Sequence, residues 1–338
     1  MNREPTREEV IITRDSIESQ RGPKTQLDPL RPVAVIQECE ATARPTADDP
    51  NPAIAEVTSV FLTGAECAFR CTMCDLWTHT LDISTPKGAI PVQIDLALQS
   101  QNRDRLGRTQ SPRWIKLYNS SNFFDPRCVP REDWDAIAAR ISTFDRVIVE
   151  NHPRLVNSTA GQLALMITGK LEVAMGLETV YQPSIELLNK QMTLADFQRA
   201  ANHLQSMDVD LRTFILLQPP GMPPAIAADE VEKSLRFAIQ CGARHASIIA
   251  TRGGNGIMEE LAAKGLFMVP SAFALELCLD VALGHNQSIV VTADLWGFKN
   301  LSGLCDLCVE PRHERLAAMN LSQSILPPCV LTCGCSDD

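Results

Sequence analysis

Short apolar runs alternate with amphipathic stretches along most of the chain. The runs VTSVFLTG (57–64), RWIKLYN (113–119), DRVIVEN (145–151), LEVAMGLET (171–179), VDLRTFILLQ (209–218), HASIIAT (245–251) and SIVVTAD (288–294) predict strands. Several are continuous in Val, Ile and Leu, as parallel strands buried on both faces require. The stretches between them read as helices. Thr193 with Asp196 predicts a capping box opening a helix to about Ser206. Residues 224–241 carry apolar positions at helical spacing and stop at Gly242, and a further helix is expected from Pro270 to near Gly284. Strand and helix repeated about six times predict a parallel sheet with right-handed crossovers, either open and doubly wound or curled into a full or partial TIM-like barrel. In both closures ligands sit at the C-terminal strand ends.

The first 50 residues are rich in Pro, Arg, Thr and Asp, with one apolar run, PVAVIQE, and predict a partly disordered N-terminal arm (1–50) with one strand or packing segment. The core domain is expected over 51–300 and a Cys-rich tail over 301–338. The turn at Gly253, Gly254 and Gly256 does not match a nucleotide-binding glycine motif and reads as a plain turn. No stretch approaches the roughly 20 apolar residues of a membrane helix. The start lacks the apolar core of a secretory signal, which predicts a cytoplasmic protein. The net charge of −10 argues against a surface built to grip nucleic acid everywhere, while leaving room for a local basic groove.

Cysteine placement changes the picture most. There are twelve, and in a reducing compartment metal or catalysis explains them better than disulfides. Cys39, Cys128, Cys241 and Cys278 are scattered and read as small buried hydrophobes. Cys67-x3-Cys71-x2-Cys74 follows the first predicted strand directly, where its loop opens onto the active face. Thiolates suit iron–sulfur clusters and zinc. No fourth ligand stands nearby at zinc-finger spacing, and a redox C-x-x-C would leave Cys67 unexplained. Three thiolates fill three irons of a four-iron cube and leave the fourth open to a small molecule. At the other end, Cys305-x2-Cys308 and Cys329-x3-Cys333-x-Cys335 predict a second metal site, zinc or another iron–sulfur cluster. The expected quartet there is Cys305, Cys308, Cys333 and Cys335, with Cys329 able to exchange in.

The C-x3-C-x2-C loop after the first strand resembles the radical SAM superfamily. The strings C-T-M-C-D-L-W, Y-N-S-S-N-F-F-D-P-R, V-E-N-H-P-R, G-L-E-T, N-K-Q-M-T and L-L-Q-P-P, in that order, resemble its Elongator-catalytic-subunit-like branch, which includes the radical SAM subunit of archaeosine synthase. That resemblance implies a partial (βα)6 barrel, a [4Fe-4S] cluster, S-adenosylmethionine and a 5′-deoxyadenosyl radical that abstracts hydrogen from substrate. It also implies a flavodoxin- or ferredoxin-type electron donor, tRNA or a nucleoside-bearing substrate, and a partner enzyme subunit. Met73 stands where the superfamily commonly has an aromatic residue, beside the adenine. Asn119, Ser120 and Ser121 replace its Gly-Gly-Glu segment at the methionyl ammonium. Glu150 and Glu178 end the third and fourth predicted strands, at the same mouth, where carboxylates can bind ribose or the ammonium. Arg212 would either face the barrel interior and meet the methionyl carboxylate or face outward against a helix. Phe123, Phe124 and Asp125, and His152, are pocket candidates with a core reading as the alternative. Two other functions fit the same residues: radical chemistry on a small metabolite, lipid precursor or peptide, or a non-enzymatic metal-bound partner subunit.

Overall fold

A computed structural model describes residues 11–101, 113–285, 288–329, 333 and 335. Eight strands form one sheet in sequence order: β1 (Ala34–Ala41), β2 (Ile54–Phe61), β3 (Arg113–Tyr118), β4 (Arg146–Glu150), β5 (Lys170–Glu178), β6 (Asp210–Leu217), β7 (Ala243–Ala250) and β8 (Val290–Ala293). β1 runs antiparallel to β2, and every later pairing is parallel. All seven predicted strands are present. The PVAVIQE run becomes β1, so residues 11–50, expected as a partly disordered arm, hold an edge strand and a capped helix, Arg14–Ser19.

The sheet curls. Arg212 of β6 reaches Glu40 of β1 with two hydrogen bonds, at 2.9 and 2.7 Å, although four strands lie between them. Such contact across the concave face requires a partial barrel, which is the predicted fold. Two apolar layers follow. Outward residues such as Val60, Leu117, Val149 and Ile215 pack under the helices. Inward residues Ala55, Val57, Trp114, Ile148 and Ala174 fill the barrel, with Tyr118 and Phe214 resting on them.

The helices form where expected. Thr193 and Asp196 make the predicted reciprocal cap on Leu194–Ser206. Ala227–Gln240 ends before Gly242, whose φ of +81° is the left-handed conformation glycine adopts readily. Ala272–His285 follows. The last helix, Val309–Ser322, packs against both edge strands, β1 and β8, and so covers the seam of the half-barrel. Among the described residues, no helix is long and apolar enough to cross a membrane.

Candidate active site

The barrel has a charged floor and an open mouth. At the floor, the Glu172 carboxylate is fully buried and receives Arg212 at 2.7 Å, Arg146 at 2.8 Å and Arg244 at 2.8 Å. Burial pushes its acid up, but the three guanidinium groups more than reverse this and hold it well below the carboxylate range. Lys116 pairs with Glu38 at 2.8 Å and with Glu40. Arg212 therefore faces the interior but lies at the N-terminal end of the strands, with Glu40 and Glu172 as partners. The structure does not bring it to the mouth.

The mouth is built around the cysteine loop. Cys67, Cys71 and Cys74 follow β2 and Gly64, and their thiols lie near enough to raise one another. Burial pushes Cys74 up to about 12 and Cys71 higher still, with Lys190 partly offsetting the latter. Buried thiols this reluctant to ionise alone are suited to a positively charged metal assembly.

Several elements pin the loop. Thr72 donates its backbone N–H to Leu188 at 2.9 Å and its hydroxyl to Leu187 at 2.6 Å. Asn189 donates to the Arg70 carbonyl at 2.7 Å. Asn255 donates to the carbonyls of Thr72 at 2.7 Å and Cys74 at 3.2 Å. Asn122 donates to Cys67 Sγ at 3.1 Å and accepts from the His152 N–H at 2.6 Å. The His152 ring stacks on Phe69 at 3.7 Å. Its Nε2 meets the Lys190 carbonyl at 3.0 Å while Nδ1 accepts from the Arg154 N–H, which fixes the tautomer. Burial lowers its pKa to about 3, so the imidazole is neutral. It acts as a positioning group under the loop. From the N-terminal side, Arg70 pairs with Glu18 at 2.6 Å, and Arg21 with Glu66 at 2.7 Å.

The other expected residues divide. Glu150 accepts the Asn119 N–H at 2.7 Å together with those of Ser120 and Ser121. Ser120, at φ +52°, turns the three amides toward one carboxylate. Burial nevertheless pushes Glu150 up to about 7. Ser121 Oγ lies 2.9 Å from Cys128 Sγ. Asn119 is fully buried, and neither atom of its side-chain amide has a partner among the described residues. A buried amide in that state is one a ligand would complete. Glu178 sits at φ +66°, in the left-handed region, and its carboxylate is paired with Lys190, which also donates to the Gly176 carbonyl at 2.5 Å. Gly176 is required there, because a Cβ would occupy the space of that pair. Met73 packs with Ile17, Ile257, Met258 and Leu261 in a satellite core. Phe123 and Phe124 are buried in the main core, and Asp125 pairs with Arg127 at 2.6 Å.

Two features of the mouth escaped the sequence reading. A file of aromatic rings runs inward from the rim: Trp296 lies 6.3 Å from Phe61, Phe61 6.1 Å from Tyr118, and Tyr118 6.3 Å from Phe214. Away from the mouth, His245, in register with the floor residue Arg212, forms a hydrogen-bonded polar group with Ser247 and Thr292. A polar cleft of about 310 Å³ also opens beside Cys67, lined in part by Arg14, Arg70, Asp82 and Arg127.

At the far end of the chain, the Sγ atoms of Cys305, Cys308, Cys333 and Cys335 lie within 4.8 Å of one another. Cys329 stays outside this group, with its thiol 3.2 Å from the Pro311 carbonyl.

The half-barrel with a three-cysteine loop at the C-terminal end of its first parallel strand has the fold of radical SAM enzymes, and the chain is similar in sequence to archaeosine synthase subunit beta. No protein-family model matches it. It is 23% identical over 231 residues to archaeosine synthase subunit beta of Methanosarcina acetivorans, covering 66% of this chain and 67% of that one. It is 25% identical over 171 residues to archaeosine synthase subunit beta of Thermococcus kodakarensis, covering 49% of this chain and 51% of that one. The matches thus span between about half and two thirds of these relatives. Among solved structures, methylornithine synthase shares the fold, with a TM-score of 0.50 at 12% identity over 81% of this chain and 74% of that one.

Proposed function

We propose that Cys67, Cys71 and Cys74 hold a [4Fe-4S] cluster, that S-adenosylmethionine binds at the adjoining strand ends, and that the enzyme acts on a nucleoside-bearing substrate in tRNA modification. The observation that carries this reading is the buried three-thiol loop, held to three separate segments of the barrel mouth. When bound, the cluster and S-adenosylmethionine supply a 5′-deoxyadenosyl radical.

The chain's own residues orient and shield. Asn255, Asn122, Asn189 and His152 fix the loop. Asn119 offers an unpaired amide for the methionyl end of the cofactor. The buried Glu178–Lys190 pair places a cation beside Cys71. The file from Trp296 to Phe214 gives planar rings a face to stack on, which suits a base turned out of its strand. The cleft beside Cys67 gives a flavodoxin- or ferredoxin-type donor an approach to the cluster. A second subunit is the partner proposed from the names of the relatives.

The test is binding and turnover with unfractionated tRNA. We expect binding that weakens steeply with salt, and a new modified nucleoside after reaction. The net charge of −10 favours the second reading, a small-metabolite substrate. Absence of tRNA binding even at low salt would select it.

A further inference from the structure

The C-terminal thiols have a geometry that discriminates between metals. The Sγ atoms of Cys305 and Cys308 stand 3.7 Å apart, and all four of the quartet lie within 4.8 Å. One ion with metal–sulfur bonds of about 2.3 Å at the centre of a tetrahedron sets each edge at about 3.8 Å. An iron–sulfur cluster shares its thiolates among several irons separated by bridging sulfides, so its thiolates cannot all close to such an edge. The turn is also that of a metal knuckle. Cys305 donates its N–H to Cys308 Sγ at 3.3 Å, and its own sulfur accepts from the N–H groups of Leu307 and Cys308.

What this quartet joins gives it a role. Cys308 caps the start of Val309–Ser322, the helix that covers the barrel seam. Cys333 and Cys335 return from beyond its end. On the helix between, Arg312 pairs with Glu276 at 3.0 Å and Arg315 with Asp280 at 2.8 Å, both on Ala272–His285. Arg315 also holds the Leu326 carbonyl at 2.8 Å, on the strand of chain leading back to the quartet. We propose that Cys305, Cys308, Cys333 and Cys335 bind one tetrahedral ion of the zinc class, and that this ion clasps the seam helix by closing the chain on both its ends. A clip that closes a loop of this length stabilises chiefly by restricting the unfolded chain.

The test uses full-length protein in which Cys67, Cys71 and Cys74 are all changed to Ser, so that the first loop contributes no iron. Purified without oxygen, it should carry one zinc per chain and no sulfide. Replacing the zinc by cobalt(II) should give the intense visible bands of a tetrahedral four-thiolate site. Removing the zinc from this triple variant should lower its melting temperature by several degrees. Iron with sulfide in the triple variant would overturn the single-ion assignment. Two disulfides without metal would do the same. Zinc that leaves with no change in melting would overturn the clasp. All of these readouts are independent of catalysis, so they stand or fall separately from the radical SAM reading.

Discussion

The side-chain amide of Gln323 pairs with Val291 as a neighbouring strand would. Its Oε1 accepts the Val291 N–H at 2.9 Å and its Nε2 donates to the Val291 carbonyl at 2.8 Å. Asn320 repeats the arrangement on Ala293, with both bonds at 2.8 Å. Two amides thus satisfy the free edge of β8, which would otherwise be an unpaired sheet edge. Gln323→Leu leaves two buried backbone groups unpaired and should cost about 1–3 kcal/mol for each that finds no water. Urea denaturation checks this, and an unchanged midpoint would mean the edge is satisfied another way.

The floor network gives a pH prediction. Glu172 is held below its ordinary value of 4.5, so its contribution to stability is full above that pH and is lost as pH falls through the lower folded value. Glu172→Gln should flatten the acid limb of the stability curve. It should also cost about 3–5 kcal/mol at neutral pH, since three buried or half-buried guanidinium groups lose their shared carboxylate. Stability measured from pH 3 to 7 decides.

Arg212 belongs to that floor. Arg212→Met should destabilise the fold by a similar amount while leaving S-adenosylmethionine affinity within about twofold, as expected for a residue remote from the mouth. Asn119→Ala should do the opposite, weakening that affinity roughly tenfold with the cluster intact. Calorimetric titration on the two variants separates the roles.

Asn255 tests the loop's scaffolding. Its amide holds two carbonyls of the cysteine loop and nothing in it would ligate iron directly. Asn255→Ala should lower iron affinity about 10–100-fold, the usual effect of losing a partner that orients ligands. Iron retained against a graded chelator measures this.

Much of this architecture was legible in the sequence because it repeats. Seven strands announced themselves as apolar runs, and Cys67, Cys71 and Cys74 as a spaced triplet. The C-terminal quartet was legible too, since thiols grouped in pairs limit the combinations. Arg212 was not placed, because the alternation that turns it inward does not say how far up the barrel it sits. Glu40, its partner, lay in a segment whose composition suggested disorder. Asn255 hid among glycines, in a stretch read from the sequence as a plain turn, which in the structure is the loop that opens the helix Ile257–Ala263. What that loop serves, the carbonyls of Thr72 and Cys74, is nearly two hundred residues away in sequence and carries no local signal. The aromatic file was missed for the same reason: Phe61 and Tyr118 end β2 and β3, Phe214 lies midway along β6, and Trp296 follows β8.

The central claim is that the first cysteine loop supports cleavage of S-adenosylmethionine. Protein reconstituted without oxygen should gain about four irons on Cys67, Cys71 and Cys74, as a four-iron cube requires, and should release 5′-deoxyadenosine when reduced with dithionite. Cys71→Ala should abolish both signals. An intact four-iron cluster that yields no 5′-deoxyadenosine would contradict the account.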